Sequence, residues 1–95
     1  MIESGKEIFK KANLGKLSNR QIIKYGKIGD NIGYEMTKIN NTEIYGLSFV
    51  EKIDDKYIYD IEKYVEGTLQ EMIDYVSICE NEKSLVKFQK AIDKQ

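Results

Sequence analysis

The chain has 95 residues, with 15 Lys+Arg against 16 Asp+Glu, no His, no Trp, no Pro and a single Cys. One Cys excludes an internal disulfide and fits a reducing, cytoplasmic compartment, and the absence of His removes the commonest general base and metal ligand. No apolar run approaches the roughly 18 residues of a membrane span, and no signal-peptide pattern opens the chain. A hydrophobic fraction of 41% with 33% charged residues describes a globular protein. With no repeat, low-complexity tract or linker, one α+β domain over residues 1–95 is expected.

In chain order, Ser4-x-x-Glu7 has the spacing of a capping box, with Ile8, Phe9 and Ala12 on one face behind it and Gly15 placed to stop the run. This predicts a helix over 5–13. Ser18 and Gln21 repeat the cap spacing, and Leu17 and Ile22 flank it as a hydrophobic staple, which predicts a second helix from 19. Ile22, Tyr25, Gly29, Ile32, Met36 and Ile39 then recur at three and four residues, so the helical period runs on to 39. Gly26, Gly29 and Gly33 weaken one continuous helix, so a break near 26–29 and a third helix over 30–39, capped by Asp30, is the expectation. The alternative is an irregular strand through 31–39.

Asn40-Asn41 reads as a turn, after which 43–51 and 56–62 are β-prone and joined at hairpin length by 52–55. These predict a two- or three-stranded antiparallel hairpin or meander. Thr68-x-x-Glu71 is a third capping box before the stripe Leu69, Met72, Ile73, Val76 and Cys79. Leu85, Phe88 and Ile92 fall on the opposite side of that helical phase. A reversal near 81–82 and a C-terminal helical hairpin would let both stripes face one core. The expected fold is therefore three short helices, the hairpin and two further helices.

The reactive inventory is thin. Cys79 sits on an apolar stripe and reads as a buried, inert thiol. Asp54, Asp55 and Asp60 do not match an EF-hand loop, and a polar hairpin turn accounts for the first two. The glycines at 26, 29 and 33 match neither the dinucleotide nor the P-loop spacing. No catalytic residue, cofactor or metal site is assigned, and the chain reads as a non-enzyme.

Charge layout is more informative than any motif. Residues 6–27 hold seven basic groups (Lys6, Lys10, Lys11, Lys16, Arg20, Lys24, Lys27) and one acidic, Glu7. Residues 51–82 hold ten acidic groups and three basic ones, and 83–94 hold four Lys against Asp93. Such segregation steers partners and speaks to association more than to fold. It points to a protein-interaction module, an inhibitor or adaptor of the size and composition of a small bacterial or phage accessory protein. Its contact surface would combine the Tyr-rich hairpin with neighbouring acids: Tyr45, Asp54, Asp55, Tyr57, Tyr59, Asp60 and Glu62. Packing within the core is the competing account of these tyrosines. The alternative function is a winged-helix-like nucleic-acid binder using the seven basic residues, with the 30–39 helix in the major groove and 52–55 as the wing. Homodimerisation through the hairpin edge or the C-terminal helices also fits a chain of this size.

Overall fold

The computed structural model describes residues 2–15 and 18–90. Its architecture is α+β, but with two α-helices and a five-stranded antiparallel sheet in place of five helices and a hairpin. Helix α1 (Gly5–Lys11) starts as its capping box dictates, Ser4 accepting from the Glu7 amide while Glu7 accepts from the Ser4 amide. Lys16 and Leu17, and hence the staple, lie outside the described residues, as do Ile92, Asp93 and Lys94.

The predicted second and third helices are strands. β1 (Arg20–Ile28) and β2 (Ile32–Ile39) form a hairpin closed by residues 29–31, with Ile28 opposite Ile32. Gly29 takes φ +61 in that turn, a conformation glycine adopts freely, and Asp30 is a turn residue there instead of a helix cap. The helical spacing of the isoleucines is coincidental. A bulge between Ile22 and Lys24 shifts the strand phase by one residue, and β2 is largely buried on both faces, so neither strand shows a clean alternation of burial.

Gly26 and Gly33 mark a close approach, not a helix break. A Cβ on Gly33 would stand 2.3 Å from the Gly5 carbonyl oxygen, and one on Gly5 would collide with the Gly26 carbonyl. Helix α1 lies on the sheet backbone at this point, and only glycine leaves the room.

β3 (Tyr45–Ile53) pairs with β2 along its length and is the sheet's central strand. Its second half pairs with β4 (Lys56–Tyr59) and its first half with β5 (Val65–Gly67), the two joined by a 3₁₀ turn at Ile61–Lys63. The β3–β4 connection is shorter than the sequence pattern gave. Asp54 and Asp55 alone make it, with φ of 51° and 65°, the left-handed pair that a two-residue hairpin turn needs.

Helix α2 (Leu69–Glu82) begins at the Thr68–Glu71 capping box and ends with Lys83 in the left-handed conformation. No second helix of a helical hairpin follows it among the described residues. Leu85, Val86 and Phe88 instead pack as an irregular segment on the main core, where the Tyr75 hydroxyl donates to the Val86 carbonyl at 2.6 Å and Phe88 stacks edge-on against Tyr75.

The strand register assigns the two faces of the sheet. Ile32, Tyr34, Met36, Leu47 and Phe49 face α2, where Met72, Tyr75, Val76 and Cys79 complete the larger core. Gly33, Glu35, Thr37, Gly46, Ser48 and Val50 face α1, whose Ile8 and Phe9 form a smaller core with Val50. Cys79 is fully buried and in no disulfide.

Candidate functional site: a half-covered sheet face and a basic flank

Helix α1 covers only the Ile28 end of its face. Towards the Arg20 end the sheet carries small side chains, Thr37, Gly46 and Ser48, and the segment 13–15 passes above them. The result is a cavity of about 530 Å³ between sheet and segment. Phe9, Leu14, Ile22, Tyr25 and Tyr59 wall it, and Glu35, Thr37 and Ser48 form its floor.

Tyr25, Glu35 and Ser48 stand directly opposite one another on β1, β2 and β3, so three polar groups form one row across the floor. Burial pushes the Tyr25 phenol up to about 12, and the Glu35 carboxylate beside it adds to the shift. No described cation stands within ion-pair distance of Glu35. Ser48 is 3% exposed, yet its hydroxyl bonds no described group and is not sealed in the interior, so it opens on the cavity it lines.

Arg20 closes the far end. Its guanidinium crosses Gly46, where a Cβ would stand 3.0 Å from Nη1. It donates to Thr37 Oγ1 at 3.4 Å, to the Tyr64 hydroxyl, and to Glu66 at 3.3 Å. Tyr64 in turn donates to Glu66 at 2.7 Å. Burial and Glu66 carry the Tyr64 phenol up to about 12 against the opposing pull of Arg20.

The residues singled out in the sequence are not brought to one surface. Tyr57 and Tyr59 share the α1 face, whereas Tyr45 lies on the α2 face at the edge of the larger core. Tyr57 is occupied structurally, its hydroxyl donating to both oxygens of Glu3. Glu3 also takes Lys11 and Lys52, and these partners, Lys11 first, hold its carboxyl down at about 2. Asp54 and Asp55 are the exposed turn, and Glu62 is exposed in the 3₁₀ turn. Asp60 sits beside Glu51, raising the Glu51 carboxyl to about 7, with burial contributing. Among the described residues no three His, Cys, Asp or Glu side chains gather as a metal site, and no helix is long and apolar enough to cross a membrane.

The charge segregation of the sequence persists in space. Basic residues lie on α1 and on β1, an edge strand, while the acidic stretch occupies β4, β5 and α2 at the opposite edge and on the opposite face. Several of the basic groups are committed: Lys11 to Glu3, Lys27 to the Glu3 carbonyl, Arg20 to Glu66 and Tyr64. Lys6 and Lys10 stand over the Tyr25 ring at 5.6 and 6.0 Å from its centroid, and Lys24 is exposed on β1.

Glu35, Ser48, Thr37 and Phe9 were not legible as site residues. The available signal was the succession of small side chains at Gly46 and Ser48 inside an otherwise bulky strand, which marks a depression in the sheet face. Compared with family models, with curated proteins and with solved structures, the chain matches none.

Proposed function

We propose that the chain is a non-enzymatic protein-interaction module whose basic flank, α1 with β1, takes an extended acidic segment of a partner protein. The observation that carries this is the free edge of β1. Nine residues long, it is paired on one side only among the described residues, carries Arg20, Lys24 and Lys27 with no acid, and exposes Ile22 and Ile23 by more than 40% each. An unpaired edge offers backbone donors and acceptors for strand addition, and its charge selects the added strand. A second copy of the chain fits that edge poorly, because self-pairing would set these cations against one another.

Nucleic acid is less well supported. The winged-helix layout is absent, since 19–28 and 30–39 contain strands, and the turn that would be the wing is Asp54-Asp55. Of the described basic residues in 6–27, Lys6, Lys10 and Lys24 are bound to neither an acid nor a carbonyl, few for a phosphate backbone. Chromatography on immobilised poly-glutamate and on duplex DNA tests the proposal. Retention on poly-glutamate at low salt, lost in the Lys6→Glu/Lys24→Glu variant, is the expected result. Preferential retention on the duplex, or equal retention of the variant, refutes it.

A further inference from the structure

We propose that the cavity beneath segment 13–15 is a binding site for a small organic primary amine, its ammonium seated against Glu35 and Ser48 and its apolar body against Phe9, Leu14 and Tyr59. The site is separate from the outer edge of β1 and does not depend on the strand-addition reading. A volume of about 530 Å³ lies within the size range of small-molecule sites. Its walls are aromatic and aliphatic and its polar groups few and convergent, the composition such sites share.

Three observations select the ligand's charge and donor count. Glu35 is a carboxylate in a mostly apolar cleft, and no described cation pairs with it. Ser48, directly opposite on β3, presents a hydroxyl without a partner at a position 3% exposed. That hydroxyl opens on the cleft, where a ligand can bond it. The Phe9 ring, 5.9 Å from Tyr25, adds a face that attracts a cation, the Tyr25 ring already carrying Lys6 and Lys10. A primary ammonium has three N–H donors, enough for the carboxylate and the hydroxyl together, whereas a quaternary one has none.

The two cations that line the cleft, Lys10 and Arg20, do not convert it to an anion site. Arg20 is held by Glu66, Tyr64 and Thr37, and Lys10 lies against the Tyr25 ring on α1. A carboxylate ligand reaching the floor would meet Glu35 and be repelled.

Titration of the ¹⁵N-labelled full chain at neutral pH tests the site, using 2-phenylethylamine, 3-phenylpropionate and 2-phenylethanol as probes of matched body and different charge. The amine is expected to shift the amide resonances around Glu35, Ser48 and Tyr25, with the carboxylate and the alcohol weaker by about tenfold or more, the worth of a charged hydrogen bond. Glu35→Gln should weaken the amine by a similar factor, about tenfold, while circular dichroism reports an unchanged fold. Mapping on the unsubstituted chain keeps the proposal open to refutation if the variant does not fold. No shifts at about 10 mM amine, a binding free energy weaker than about 3 kcal/mol, overturn it. So do shifts located elsewhere, equal binding of the carboxylate, or undiminished binding to folded Glu35→Gln.

Discussion

Replacing Gly33 by Ala isolates the contact that fixes α1 to the sheet. Gly33 has an ordinary negative φ, so the backbone itself tolerates a side chain, and removing a glycine from a strand would by that argument stabilise by about 0.4–1 kcal/mol. The added Cβ, however, would stand 2.3 Å from the Gly5 carbonyl oxygen, 3.0 Å from Ile8 Cβ and 3.1 Å from the Phe9 nitrogen. Two of these are backbone atoms, which no rotamer change can move aside. Ordinary contact begins near 3.4 Å, so the helix must lift by about 1 Å. A gap of that size forfeits roughly a quarter to a half of the dispersion contacts across it. Ile8 and Phe9, at 0% and 6% exposure, together represent about 3–6 kcal/mol of apolar burial. The expected loss is therefore about 1–3 kcal/mol, overriding the entropic gain and reversing its sign. Urea unfolding gives the magnitude, and hydrogen exchange at the Ile8 and Phe9 amides shows whether α1 is the element released. Gly15→Ala, with nothing within 4 Å of the new methyl, is the control and should stay within about 0.5 kcal/mol of the parent. A Gly33→Ala protein as stable as the parent, with α1 amides equally protected, would refute the close-docking argument.

Three further outcomes are expected. Lys83→Gly removes a side chain from the left-handed residue that ends α2, at φ 57°, and should raise stability by about 0.5–1 kcal/mol in urea unfolding; a loss would mean the Lys83 side chain contributes more than its backbone costs. The two shifted carboxylates act on opposite pH ranges. Glu51, raised to about 7 by Asp60, keeps a proton that the unfolded chain has lost, so its contribution to stability declines from pH 4.5 to 7, and Glu51→Gln should flatten that slope. Its partial exposure limits the effect to about 1 kcal/mol. Glu3, lowered to about 2 by Lys11 and Tyr57, contributes above pH 4.5 and loses that contribution as pH falls towards 2, so Glu3→Gln should flatten the acid limb. Unchanged slopes in thermal melts across pH 2–8 would contradict both assignments.

What was legible in the sequence was local. Ser4/Glu7 and Thr68/Glu71 announce helix starts by side-chain chemistry confined to four residues, and both boxes are formed. The Asn40-Asn41 turn is likewise where the chain turns, with Asn41 at φ 64°. The identical logic at Ser18/Gln21 fails because the residues after it pair with β2, and strand pairing overrides a cap that a helix would have used. The β1–β2 error is tertiary in origin: a bulge breaks the alternation of β1 and leaves the coincidental helical spacing of the isoleucines unopposed, and the glycines that looked like helix breakers make room for a helix far away in sequence. β5 is three residues long, too short for any pattern. The hairpin tyrosines were read correctly as β-strand residues, but register decides which face each one takes, and a two-residue turn places Tyr57 and Tyr59 opposite Lys52 and Val50, away from Tyr45.

The position of the cavity follows from the unequal lengths of the elements on the two faces. At about 1.5 Å per residue, α1 with seven residues spans roughly 10 Å, while a nine-residue strand at about 3.3 Å per residue spans roughly 30 Å. Helix α2 has 14 residues, and the segment carrying Leu85, Val86 and Phe88 adds further cover, so its face of the sheet closes into one core. The α1 face cannot close by the same means. A chain selected only for stability would fill the remainder with large apolar side chains at 37, 46 and 48, where this sequence has Thr, Gly and Ser. Gly46 has a separate reason, since Arg20 crosses it, and Thr37 supports that same guanidinium. Ser48 has neither excuse: its neighbours on β3, Leu47, Phe49 and Val50, are all buried and apolar, and its hydroxyl has no described partner. A polar side chain retained at the one floor position where a valine would pack is better explained by an occupant than by the fold, which is why Ser48→Val should stabilise the free protein while weakening the amine.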